Sequence, residues 1–193
     1  GEKITITHII GKAVGDALAM APDLNGRIHH GKYIPHDHVA LSFLVAIARE
    51  NKSPDLAKAK VVDIDKKSIV DIAKELKAAA EKIRTGKDDD FNKSKPLLNT
   101  LPTWLLRPIL WLTGYLTSSV GIGIKALGLE PFPFGAAVVT SVGMLGIDEG
   151  YAPTTPFLRV PIYVAIMTIK DEAIVENGKI VIAPMLNLMA SVD

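Results

Sequence analysis

The stretch "ENGKIVIAPMLNLMASVD", residues 176–193, decides how this chain is read. Asn177 and Gly178 stand between two apolar runs, "RVPIYVAIMTI" (159–169) and "KIVIAPMLNLMASV" (179–192). An Asn-Gly pair in that setting predicts a two-residue hairpin, because the favoured turn needs positive φ at both central positions. The second run passes through Met185, Leu186, Leu188, Met189, Ala190 and Val192 and then meets Asp193. No turn residue finishes it. The strand reads as cut in mid-stride.

Working outward from the hairpin, more strands come into view. "GAAVVT" (135–140) and "HVALSFLVAIA" (38–48) read as strands, the second so continuously apolar that both of its faces should be buried. "KAKVVDI" (58–64), "GRIHHGKYI" (26–34) and "KITIT" (3–7) read as shorter ones. Two helices separate them. Ile9, Ile10, Ala13, Val14, Ala17 and Leu18 recur at helical spacing, and Pro22 should end that helix by Met20 or Ala21. Ser68 with Asp71 resembles a capping box, and Ile69, Ile72, Ala73, Leu76, Ala79, Ala80 and Ile83 form one apolar face behind it. Gly86 should stop this helix, leaving "KDDD" (87–90) as a solvated loop. The order predicts an α+β protein with a mixed sheet, not a doubly wound array.

Composition narrows the function. The chain has 193 residues, enough for one domain with a sizeable core. A net charge of +1 offers no field for nucleic acid. The absence of cysteine rules out disulfides and thiolate metal sites and suits a reducing cytoplasm. "GEKITITHII" lacks the basic stretch and apolar run of a signal peptide. Hydrophobic residues reach 48% and mean hydropathy is +0.25, so some apolar surface needs a destination beyond the core. Much of the surplus sits at about 95–133. There Trp104, Trp111 and Tyr115 cluster, and Pro108 to Ile124 carries no charge between Arg107 and Lys125. That run is at the short limit for a membrane span, and its proline and glycines weaken it further. Two readings stay open. The segment lies at a membrane surface through its aromatic side chains, at the inner face, or it packs on its own domain or a neighbouring subunit.

No glycine-rich phosphate loop, nucleophile elbow or HExxH is present. Among the histidines, His36 and His38 would share one face if they lay on a strand. No third ligand accompanies them, so no metal site is expected.

Three stretches carry a resemblance. "THIIGKAVGDALAMAPDLNGRI" (7–28), "DIDKKSIVDIAKELKAAAEKIRTGK" (63–87) and "VVTSVGMLGIDEGYAPTTPF" (138–157) with the terminal hairpin are similar, in this order, to the catalytic domain of dihydrolipoyl acyltransferases of the 2-oxo acid dehydrogenase complexes. The resemblance implies a chloramphenicol-acetyltransferase-like fold over residues 1–193, a single catalytic domain truncated at its C-terminus, with an apolar helical insertion at about 95–133. It implies acyl transfer between coenzyme A and a dihydrolipoyl-like thiol, in a homotrimer or higher oligomer. The family's general base, a histidine, would come directly after Asp193, which is expected to help fix the local turn. The family's oxyanion-binding hydroxyl falls on Thr140, with Ser141 the alternative holder. From the residues alone, the favoured reading is that both hydroxyls end a strand ahead of the Gly143 turn, and it is the resemblance that turns Thr140 to the oxyanion role. Asn25 falls on the family's Pro-x-Leu-Asn and is expected to be structural.

Two departures bear on substrate. "ARENKSPDLAKAKVVDI" (48–64) replaces a segment that lines the family's substrate channel, and the apolar insertion is extra. A stand-alone acyltransferase acting on some acyl-CoA fits these features, with the lipoyl group one candidate acceptor. The alternative is a non-catalytic trimeric scaffold or membrane-docking relative.

Overall fold

The computed structural model describes residues 2–49, 52–85, 102–124 and 128–193. The first helix, α1 (Ile6–Met20), starts where a strand was expected. Thr5 is its N-cap: the Thr5 backbone N–H donates to His8 Nδ1 at 3.1 Å, so His8 takes the place of the usual Glu in a capping box. This contact draws Ile6 and Thr7 into the helix, and "KITIT" forms no strand. The expected end is met at Met20, and a short 3₁₀ turn at Pro22–Leu24 follows.

"GRIHHGKYI" is not one strand but a small hairpin, β1 (Gly26–His29) and β2 (Lys32–Pro35), turning at His30 and Gly31, both at positive φ. The main sheet has five strands in the order β4-β3-β5-β6-β7. β3 (Ala40–Arg49) pairs antiparallel with β4 (Lys52–Val62), which is longer than its seven-residue signal. β5 (Ala137–Ser141) lies parallel between β3 and β6 (Ile162–Glu176), and β7 (Lys179–Val192) returns antiparallel along β6. Glu176 pairs with Lys179, and Asn177 and Gly178 take φ of 53° and 76°, as the Asn-Gly dipeptide predicts.

Side-chain alternation divides the sheet into two faces. One face carries Leu41, Phe43, Val61, Ala137, Val139, Ile162, Val164 and Ile166 into the main core, packed with Leu18 of α1 and Ile72 and Leu76 of α2 (Ile69–Arg84). Ser68 caps α2, its hydroxyl accepting from the Asp71 N–H at 3.2 Å. The buried side chains Ile72, Ala73, Leu76 and Ile83 belong to the predicted apolar face. The Gly86 stop and the "KDDD" loop lie outside the described residues.

The other face is covered by the apolar segment. Within it, α3 (Thr103–Gly114) runs into one π-type turn at Tyr115–Val120, which ends at Gly121 with φ 85°. A Cβ on Gly114 would run into the Phe157 carbonyl, so only glycine lets the helix approach this closely. Beyond a register shift between Ile166 and Ile169, β6 and β7 continue as a two-stranded arm bearing exposed Val175, Ile180 and Ile182.

Candidate active site

Thr140 and Ser141 close β5, and the alternation of the strand sends their side chains to opposite faces. Register places Thr140 in a row with Lys58, Leu44, Ala165 and Met189, on the face covered by the apolar segment. Ser141 pairs with the buried Ile166 and turns toward the main core. Among the described residues no hydrogen bond engages the Thr140 hydroxyl. The next row on that face holds Lys60, Ser42, Val138, Tyr163 and Ser191. Ser42 Oγ and the Tyr163 hydroxyl are buried there without a partner among the described residues.

The end of β5 is held rigidly. Val142 N–H donates to the Ile166 carbonyl at 2.9 Å, a 3₁₀ turn follows at Gly143–Leu145, and Gly146 leaves it with φ 73°. The Thr168 hydroxyl donates to the carbonyls of Gly143 at 3.2 Å and Ile147 at 3.0 Å, tying the turn to β6. Thr140 therefore sits on a strand pinned at both sides rather than on a loose loop.

Asp193 is elsewhere. Its N–H donates to the Pro161 carbonyl at 2.9 Å, beside the start of β6, while Thr140 pairs with Ala165 farther along the same strand. Four residues along a strand and two strands across put the two positions about 13 Å apart in one direction and about 10 Å in the other. The structure does not bring these two predicted residues together within one chain. Asn25 is buried and bonded through its backbone to Pro22 and His36, and its Nδ2 donates to the His38 carbonyl at 3.4 Å. That is a structural post.

The histidine pair departs from expectation: His36 and His38 follow β2 and lie on no strand. His38 faces Asp63 at 3.0 Å, and His36 packs edge-on against Phe132. Burial, followed by the neighbouring Arg27 guanidinium, holds the His36 imidazole below its ordinary value. The pairing of Asp63 with Lys66 and His38 lowers its carboxyl to about 2. No group of three His, Asp or Glu gathers as metal ligands among the described residues.

The apolar segment packs on its own domain. Trp111 and Tyr115 stack at 5.9 Å, and the Arg159 guanidinium lies over both rings at 5.5 and 5.3 Å while donating to Ser119 Oγ. His30 Nε2 meets the Tyr115 hydroxyl at 3.2 Å, and Arg27 Nε donates to the Ser119 carbonyl at 3.1 Å. Two of the three aromatic side chains expected at a membrane are thus engaged within the protein, leaving Trp104 at 76% exposure. No described helix is long and apolar enough to cross a membrane. The membrane reading gains no support from these contacts.

One feature escaped the sequence. Glu130 receives two ammoniums from β4, Lys58 at 2.9 Å and Lys60 at 2.8 Å. The lysines alternate with Ala57 and Ala59, and that alternation was the available sign of a charged row on one face of the strand.

Comparison with known proteins fits this geometry. The family model of the 2-oxoacid dehydrogenases acyltransferase catalytic domain matches residues 1–94. The dihydrolipoyllysine-residue succinyltransferase component of the Haemophilus influenzae 2-oxoglutarate dehydrogenase complex is 27% identical over 184 residues, 94% of this chain and 33% of that protein. The dihydrolipoyllysine-residue acetyltransferase component of the acetoin cleaving system of Bacillus subtilis is 32% identical over 87 residues, 45% of this chain and 21% of that protein. The chain thus spans a third or less of the curated relatives it matches. Among solved structures, a probable dihydrolipoamide acetyltransferase from Listeria monocytogenes superposes with a TM-score of 0.68 at 22% identity, covering 100% of this chain and 63% of that one. The Azotobacter vinelandii dihydrolipoamide acetyltransferase gives 0.66 at 19%, covering 100% and 61%. The fold is the mixed-sheet α+β fold of these acyltransferase cores, and residues 1–94 are similar to the 2-oxoacid dehydrogenase acyltransferase catalytic domain.

Proposed function

We propose that the protein is a coenzyme A-dependent acyltransferase whose site forms between subunits of a trimer. Thr140 supplies the hydroxyl that hydrogen-bonds the oxyanion of the tetrahedral intermediate, and a histidine following Asp193 in the complete protein acts as the general base. In this scheme the base takes the proton of the acceptor thiol, the thiolate attacks the thioester carbonyl, and coenzyme A leaves as its thiol after recovering that proton. A dihydrolipoyl-like thiol is the acceptor suggested by the relatives.

The separation of Thr140 from Asp193 carries this reading. A base directly after Asp193 would start well away from Thr140 of its own chain, which supports a site assembled from two subunits. The exposed apolar arm of β6 and β7 supports assembly, since a two-stranded ribbon with Val175, Ile180 and Ile182 in water is poorly stable alone. Ser141 faces the core and suits the role less well than Thr140. Asp193, bonded to the Pro161 carbonyl through its backbone, suits a structural role at the entry to the base rather than a chemical one.

The test uses the full-length protein. Acetyl-CoA and succinyl-CoA are offered with dihydrolipoamide, and thioester formation is followed alongside the sedimentation mass. A trimer that transfers acyl groups supports the reading. A trimer without transfer to any thiol sinks it and leaves a scaffold.

A further inference from the structure

A cavity of about 850 Å³ runs along the outer edge of β4, between α2 on one side and α3 with residues 128–134 on the other. This is within the range of small-molecule sites, which are mostly apolar with a few polar groups. Its walls include Leu44, Ala78, Leu110, Leu129, Phe134 and Leu158. Leu44, Phe134 and Leu158 also pack against Val138 and Tyr163, so the cavity abuts the Thr140 face of the sheet.

Three observations define the occupant. The first is size: at about 850 Å³ the space is far larger than an acetyl or succinyl group needs. The second is charge. The ammoniums of Lys58 and Lys60 close on Glu130, the lining Glu75 closes on Lys67, and the lining Lys82 is exposed, so a ligand carboxylate between Lys58 and Lys60 would compete with Glu130. An uncharged chain fits better than a free carboxylate. The third is position. Leu44, on the cavity wall, is the register partner of Thr140. Paired residues share a face and lie about 5 Å apart, one strand spacing.

We infer that this cavity holds the unbranched apolar acyl chain of a long-chain acyl thioester, one strand away from Thr140. The inference rests on the acyltransferase reading for the thioester and goes beyond it in naming the acyl group. Binding of the chain does not require turnover, so the two can be tested apart.

The full-length protein is titrated with acetyl-CoA, octanoyl-CoA and palmitoyl-CoA below their micelle concentrations, without acceptor, by calorimetry. Affinity should rise at least about tenfold from acetyl to palmitoyl, a small part of what full burial of the added methylenes would give. Ala78→Trp, which fills the cavity from the α2 side, should abolish that gain and leave acetyl-CoA binding unchanged. Ala78→Ser should keep it. Leu129→Trp fills the opposite wall and replaces Ala78→Trp if the latter loses its thermal transition. Equal affinity for the three thioesters, or a gain that survives the filled cavity, overturns the inference. Acetyl transfer without chain-length preference sinks it and spares the proposed function. Chain-length-dependent binding without transfer does the reverse.

Discussion

Thr140 and Asp193 lie toward opposite ends of the sheet: Thr140 pairs with Ala165 of β6, whereas the Asp193 N–H bonds to the carbonyl of Pro161, just ahead of that strand and four residues before Ala165. In the proposed scheme, chemistry that draws on both places is shared between chains. This relationship makes the oligomer part of the proposed site and sets the first prediction.

Thr140→Val should lower the rate of acyl transfer from acyl-CoA to a thiol by about 10²–10³-fold, the usual cost of losing one oxyanion donor. Thr140→Ser restores the hydroxyl and should recover most of it. Ser141→Ala, altering a side chain on the other face, should stay within a few fold. Steady-state kcat for the three variants checks this, and equal loss at both positions would remove Thr140 from its role.

His36 should make stability fall in mild acid. Burial and Arg27 hold its folded value below the ordinary 6.5, so the unfolded chain binds more protons as pH falls. The contribution is complete above about pH 6.5 and is lost as pH drops toward the folded value. His36→Phe keeps a ring against Phe132 and should flatten that slope in urea midpoints measured between pH 7 and pH 5.

Glu130 acts in a lower window. Burial raises its carboxyl, but Lys60 and Lys58 outweigh burial and hold it below its ordinary 4.5. Its stabilisation is present above about pH 4.5 and is lost as pH falls through the depressed value. Glu130→Gln should cost on the order of 1 kcal/mol at neutral pH, since the pair is partly exposed and screened. The mutant and parent urea curves should converge as the acid limit is approached. A constant gap down to pH 3 would show that the ion pairs contribute nothing.

Gly114→Ala puts a methyl group into the Phe157 carbonyl, so α3 has to shift away from the 157 segment. A loss of about 1–3 kcal/mol is expected, as for other overpacked sites, against the gain of a few tenths to 1 kcal/mol usual for Gly→Ala inside a helix. Thermal midpoints decide the sign, and a stabilised variant would mean that the helix and the 157 segment do not touch.

Much of the fold was legible because it rests on local signals. Asn177-Gly178 specified its turn, Ser68 its cap and Pro22 its helix end, each through backbone geometry that a few residues determine. "KITIT" misled because its alternation was real but too short to outweigh a cap: Thr5 and His8 close a capping box that only the helix can use. "GRIHHGKYI" hid its turn, since its His30-Gly31 pair lacks the Asn-Gly or Asp-Gly signature of a two-residue hairpin although both take positive φ. The site was legible only in part. Thr140 and Ser141 could be ranked by resemblance, but which of them faces the covering segment depends on register across five strands. The Lys58–Glu130–Lys60 cluster joins residues some seventy positions apart, and no local pattern announces that distance.

The register shift between Ile166 and Ile169 divides β6 and β7 into two zones of different solvent history. Before it, amide hydrogens are sealed inside a five-stranded sheet. After it, the arm has one partner strand and water on both sides, so its amides should exchange quickly whenever the chain is alone and slowly once a neighbour covers Ile180 and Ile182. In the proposed assembly the arm would be a built-in gauge of association: the exchange rates of a few residues around Asn177 would report how many chains are assembled at any concentration, without an assay of activity.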